Sequence, residues 1–309
     1  MVIDFCKLKT YPLRTRKSKV KIEKFSSLNF LKKDFFSSLP DILAGKDFKQ
    51  LISEIIQAKR KERAIIFMLG AHVIKCGLSP FIIDLMRRRI ITAVALNGAG
   101  IIHDFEIAYQ GGTSEDVDEA IQNGSFGMAS ETADYLNRAI KEGRIKNYGL
   151  GEAIGKMIAR RKLKYRAYSL LYAGVKYQIP VTVHVAIGTD IIHMHPSCNG
   201  ADTGELSLRD FRRFCEVVSK LGKGVVINFG SAVILPEVFL KALAVVRNLG
   251  FGVKNFTSAD FDMIKHYRAF TNVVKRPTLE GKGFSFIGHH EIMLPLLYRA
   301  IMERMCRDG

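Results

Sequence analysis

The stretch TAVALNGAGIIHDFEIAY, residues 92–109, passes from an unbroken apolar run through a glycine-bearing turn into a histidine and an aspartate. Apolar runs without alternation suit strands buried on both faces, as in parallel sheets covered by helices. Four more runs obey the same rule: AIIFML (64–69), VTVHVA (181–186), GVVINF (224–229) and GFSFIG (283–288). Helical spacing fills the intervals. LSPFIIDLMRRR sets Phe81, Ile82, Leu85 and Met86 on one face. SLRDFRRFCEVVSKLG opens with Ser207 and Asp210 in capping-box positions, and LPEVFLKALAVVRNLG carries Pro236 in its first turn. Buried strands alternating with amphipathic helices predict an α/β fold, an open and mainly parallel sheet with helices on both faces.

The 309 residues read as a basic N-terminal arm (1–40) and one α/β domain (41–309), with a helical insertion at about 105–175. In such sheets ligands bind beyond the carboxyl ends of the strands. Three glycine-bearing turns fall at those ends: LNGAG (96–100), AIGTD (186–190) and NFGSA (228–232). Together they point to a nucleotide-like ligand, although the GxGxxG fingerprint is absent. Asp104 has two readings, an anchor for a ligand hydroxyl or cation and a helix cap.

The formal net charge is +17, with eight basic residues among positions 1–24 against Asp4 and Glu23. Other cations lie along presumed helix faces, with no interleaving of basic and aromatic residues. The charge pattern therefore reads as a solvated surface, with an arm that could dock on another subunit, ahead of a nucleic-acid partner. Five cysteines without a CxxC pair read as reduced thiols. No apolar run is long enough for a membrane span or a signal peptide, so a cytoplasmic protein is expected. Histidines 184, 193, 195, 289 and 290 fall at strand ends, but nothing matches HExxH, so no metal is expected. Carboxylates at the same ends, among them Asp104, Glu106, Asp190 and Glu237, allow a locally acidic pocket for a cationic substrate.

Read in order, these segments resemble the deoxyhypusine synthase family across roughly residues 60–300. In GAHVIKCGLSPFIIDLMRRRIITAVALNGAGIIHDFEIAY, Gly77, Gly100 and Asp104 match, with the turn reading Asn97, Gly98, Ala99, Gly100. In YQIPVTVHVAIGTDIIHMH, Asp190 and His195 fit the family's Asp and the His five residues later. Gly230 matches the third turn, with Ser231 beside it, whereas Ile234, Leu235 and Pro236 replace the family's paired histidine. GFSFIGHHEIMLPLLYRAI is similar to the last strand and its PLL helix, with His289 and His290 replacing a small and acidic pair.

The resemblance implies a Rossmann-like fold, NAD as cofactor and a homotetramer. It also implies transfer of an aminobutyl group from the polyamine spermidine to a protein lysine or a free amine. A second possibility is the same fold and pocket with another substrate or no catalysis. Carried over residue by residue, Lys275 and His195 are expected to be catalytic. Gly77, Asn97, Gly98, Gly100, Asp104, Asp190, Gly230 and Ser231 are expected at the cofactor, and Glu237 and His289 at the substrate.

Overall fold

In a computed structural model of the chain, residues 35–278 and 280–307 are described; most of the basic arm, residues 1–34, lies outside them. The chain divides into two compact units, residues 1–50 and 51–309. The first includes the short helix α1 (Phe35–Ser38). Helix α2 (Leu43–Arg60) leads to strand β1 (Ile65–Leu69), then α3 (Ala71–Lys75), α4 (Ser79–Arg87) and β2 (Ala93–Asn97). Five helices follow: α5 (Gly98–Gln110), α6 (Val117–Asn123), α7 (Ser130–Ile145), α8 (Leu150–Arg161) and α9 (Leu170–Tyr177). Next come β3 (Val181–His184), α10 (Gly200–Ser219), β4 (Val225–Phe229), α11 (Ile234–Asn248) and β5 (Thr257–Asp262). The chain closes with α12 (Tyr267–Ala269), a π-helical turn Phe270–Lys275, β6 (Lys282–Ile287) and α13 (His290–Arg307).

All strand pairs are parallel, in the order β3-β2-β1-β4-β5-β6. This is the Rossmann-like order. The chain leaves β1 toward β3, then returns to lay β4 against the other side of β1, so successive connections diverge between those two strands. Every residue of β1, β3, β4 and β5 is buried. On one face, α10 and α11 bury Phe214, Leu235, Phe239 and Val246 against Ile66, Met68 and Val226. Each such side chain contributes on the order of 2 kcal/mol through its burial.

The five expected strands are present, and β5 is the addition. Its sequence, TSADFD, is polar at four of six positions yet wholly buried. Those groups have partners: Ser258 Oγ donates to Val273 O (2.7 Å), and Asp260 Oδ1 accepts from Asn228 Nδ2 (2.8 Å). The capping box at Ser207 and Asp210 is corrected. The cap of α10 lies eight residues earlier, where Asn199 Oδ1 accepts from Ala201 N (2.9 Å) and Asp202 N (3.1 Å). Asp210 instead lies mid-helix and accepts from Gly151 N and Val183 N, both at 2.9 Å, so it caps α8 and anchors β3 from a distance. No helix among the described residues is long and apolar enough to cross a membrane.

Candidate functional site

The carboxyl ends of β1 and β4 meet through glycine. Gly70 N donates to Phe229 O (2.8 Å), and Gly230, at φ +66°, donates its N–H to Phe261 O (3.0 Å). A side chain at Gly70 would strike the Gly230 carbonyl, and one at Gly230 would strike the His290 imidazole. This close approach brings His290, the first residue of α13, over the end of the sheet. Its ring centroid is 5.7 Å from that of His72 and 6.1 Å from that of Phe229. Asp262, the last residue of β5, stands between two imidazoles, with Oδ1 3.9 Å from His290 Nε2 and Oδ2 3.6 Å from His266 Nε2. Burial holds the pKa of His290 below the ordinary imidazole value, against the opposing pull of Asp262. The ring is therefore neutral at physiological pH, and its buried Nδ1 has no hydrogen-bond partner among the described residues.

Alongside, beyond the ends of β2 and β3, opens a cavity of about 580 Å³. Its wall runs from Lys75 at the end of α3, across one face of α5, to Asp190. Glu106 is fixed there by two hydroxyls, Thr113 Oγ1 (2.5 Å) and Thr132 Oγ1 (2.9 Å), and Thr113 also contacts His103 Nδ1 (2.7 Å). Glu115, Glu131 and Asp190 add carboxylates, and among the described residues Lys75 is the one Lys or Arg in the lining. Asp190 is buried, its Oδ2 has no partner among the described residues, and burial raises its pKa to about 6. Nearby His193 Nε2 is likewise buried and unpartnered.

The sequence-nominated residues separate into those that face this edge and those that secure the fold. Gly77 is the left-handed residue ending α3, at φ +72°, with open space where a side chain would stand. Asn97 Oδ1 accepts from Gly100 N (3.2 Å) as the cap of α5. Gly98 is pressed against the Asp190 carboxylate, which a methyl group would overlap, and Gly100 packs on Leu96. Asp104 turns away from the cavity. Fully buried, it accepts from Ser169 Oγ (2.5 Å), Leu170 N (2.6 Å) and Leu171 N (3.3 Å), so it caps α9, and burial raises its pKa to about 6. Ser231 Oγ accepts from Leu235 N (3.1 Å) at the start of α11. Glu237 is bound to Arg268 (2.7 Å), Lys241 and Asn272.

His195 Nε2 contacts Gly127 O (2.8 Å), and exposed His289 lies 3.9 Å from Glu291. Lys275 is not brought to this edge. It follows Val273 and Val274, whose carbonyls pack on Ser258 and Gly283, the second residues of β5 and β6. It therefore stands exposed at the amino edge of the sheet, and the nucleophile role expected at the carboxyl edge is corrected on that ground. Sequence reasoning missed Asp262 and His266, because β5 was not anticipated, and Gly70 with His72, because the turn after β1 holds one glycine only.

No family model matches the chain, and no curated protein matches it. Solved structures do. AgrE in a ternary complex with ornithine and NAD+ superposes with TM-score 0.56 at 14% identity, over 85% of this chain and 33% of that one. A LOR/SDH-type protein of Methanococcus maripaludis S2 gives 0.53 at 17%, over 86% and 70%. A protein assigned as a deoxyhypusine synthase of Entamoeba histolytica gives 0.50 at 12%, over 89% and 91%. The chain thus spans about a third of the length of AgrE. At these identities the likeness shows the fold, a Rossmann-like α/β sheet.

Proposed function

We propose that the chain is an NAD-dependent enzyme acting on a small organic amine, with the dinucleotide at the β1/β4 divergence and the amine in the adjoining cavity. The observation that carries this reading is the cavity's charge: among the described residues it is lined by four carboxylates and a single lysine, in a chain whose net charge is +17. An ammonium ligand is what such a lining stabilises. The dinucleotide reading is supported by the strand order and by buried polar atoms without partners, Asp190 Oδ2, His193 Nε2, Asn228 Oδ1 and His290 Nδ1, at the ends of β3, β4 and β6. The N-terminus of α5 is closed to a phosphate, because the Asp190 carboxylate already lies on Gly98. Gly70, His72, Gly230 and Ser231 would instead hold the cofactor at the divergence.

When bound, NAD supplies the acceptor for a hydride. The chain supplies the proton chemistry: neutral His290, oriented beside Asp262, takes the proton that the amine releases as its C–N bond becomes an imine. Asp190 and Glu106 hold the substrate's cationic end. In its finer form the reaction is aminobutyl transfer from spermidine. With Lys275 at the opposite edge, the acceptor is a free amine or a lysine of another protein. A homotetramer belongs to the same reading.

Calorimetric titration with NAD, with and without spermidine, tests it. Micromolar binding that the amine strengthens, and that His72→Ala or Gly230→Val weakens, is the expected result. Absence of heat and of thermal shift with both ligands overturns the cofactor assignment.

A further inference from the structure

The amino edge of the sheet carries a second chemistry. The segments that enter β1, β2, β4, β5 and β6 (residues 59–63, 87–89, 220–223, 247–254 and 275–282) hold fourteen Lys and Arg against two Glu. Along the chain they are scattered. In the fold they precede five adjacent strands, in the order β2-β1-β4-β5-β6, and so form one row. At about 4.8 Å per strand the row is roughly 20 Å long.

Ion pairs engage part of it: Arg87 and Arg88 with Asp84 (2.6 Å each), Lys254 with Glu280 (3.6 Å), and Lys282 with Glu54. Lys61, Arg63, Arg89, Lys220, Lys223 and Lys275 are exposed and have no carboxylate partner among the described residues. Helix dipoles favour cations near helix C-termini, which accounts for the sign of this edge. They do not account for Arg89 at φ +57° and Lys223 at φ +60°, left-handed positions where glycine costs nothing and a long cation is disfavoured. Two grooves flank the row. One, about 750 Å³, is lined by Arg63, Arg213 and Lys220 together with Glu62, Glu216 and Glu152, the last paired with Arg213; the other, about 430 Å³, is the more basic, with Arg247, Lys254, Arg276 and the half-exposed ring of Phe251 against Glu280.

We propose that the amino edge binds single-stranded nucleic acid, with phosphates along the cation row and bases turned into the grooves, one of them against Phe251. A row of cations beside recesses, one holding an aromatic face, matches a flexible strand whose bases can leave a stack. A bilayer would instead require a flat face with projecting apolar groups, and Phe251 lines a groove. The inference is independent of the reading of the carboxyl edge.

Fluorescence anisotropy of a labelled oligouridylate, about 15 nucleotides long, with the full-length protein tests it. Binding should weaken as salt rises, with a log–log slope of about −0.7 per phosphate contact. The variant R89G/K223G is the decisive one, because glycine suits both backbone conformations and the fold should melt within a few degrees of the parent. Its affinity should fall about tenfold and its salt slope should become shallower by about 1.4. F251A should lose affinity with the slope unchanged, separating stacking from charge. NAD binding should be the same in all three proteins. Three results would each overturn the proposal: no binding at about 100 mM salt, parental affinity in R89G/K223G, or binding to phosphatidylserine vesicles without binding to the oligonucleotide.

Discussion

The two edges of this one sheet are chemical opposites. At the carboxyl edge Asp190, Asp260, Asp262 and His290 are buried, and two of them keep an atom without a partner. At the amino edge the side chains are long, basic and turned to solvent. Part of the contrast follows from topology alone. Parallel strands end where helices begin and start where helices end, so dipoles draw acids to one edge and bases to the other. The remainder is a matter of partnership. Asp104 and Asp210 are buried as deeply as Asp190, yet each accepts hydrogen bonds from backbone N–H groups, Asp104 from two at the start of α9 and Asp210 from one at the start of α8 and one in β3. A carboxylate that holds the N–H groups of a helix start or a strand secures the fold, even where, as at Asp210 Oδ1, its second oxygen has no partner among the described residues; one whose free oxygen faces the cavity is open to a ligand.

That distinction breaks if removing a carboxylate that caps a helix and one that faces the cavity costs the same. Asp210→Ala strands the N–H groups of Gly151 and Val183 in a buried site and uncaps α8, and Asp104→Ala strands three donors at α9. Each should lower stability by about 3–5 kcal/mol in urea unfolding. These are the largest effects expected at any buried carboxylate in the molecule.

The pH dependence sharpens the same point. Burial raises the pKa of Asp210 to about 7, from an ordinary aspartate value of 3.8. The folded state thus binds a proton that the unfolded state has released, so this group's contribution is complete below about pH 4 and is lost as pH rises through 7. The parent should therefore lose stability relative to Asp210→Asn between about pH 4 and pH 8, by up to about 4 kcal/mol at 1.4 kcal/mol per pKa unit. Parallel melting curves for the two proteins across that range would show that Asp210 is ionised throughout.

How much of this was readable in the sequence depends on what each segment buries. Four strands were legible because parallel strands buried on both faces are continuous apolar runs, and the edge strand β6 because Phe284 and Phe286 are buried at alternate positions; their order with the helices implied the covered sheet. Strand β5 was not, because Thr257, Ser258, Asp260 and Asp262 resemble a loop until Val273 O and Asn228 Nδ2 are placed beside them. With β5 went the carboxylate of Asp262. The glycine turns were found at the right ends, but their purpose was illegible. Gly98 and Gly230 admit Asp190 and His290, residues remote in sequence whose approach only the tertiary fold defines. Lys275 failed for a related reason: counting back from the PLL segment gives a distance along the chain, and the turn Phe270–Lys275 carries that distance to the opposite edge.

The smallest stability effect should be the most informative. Asp190 resembles Asp104 in burial and in its raised pKa of about 6, but its Oδ2 accepts no hydrogen bond and faces the acidic cavity. Above pH 6 the parent therefore maintains a buried, incompletely solvated charge, which Asp190→Asn removes with almost no change in shape. The variant should melt within about 1 kcal/mol of the parent at pH 7.5, or above it, because no ion pair is lost and the asparagine oxygen can still cap the turn at 191–194. Its affinity for spermidine should nevertheless fall at least tenfold, since the amide cannot neutralise an ammonium. A variant that melts several degrees lower and still binds the amine would place Asp190 with Asp104 and Asp210, as a carboxylate the fold needs for itself.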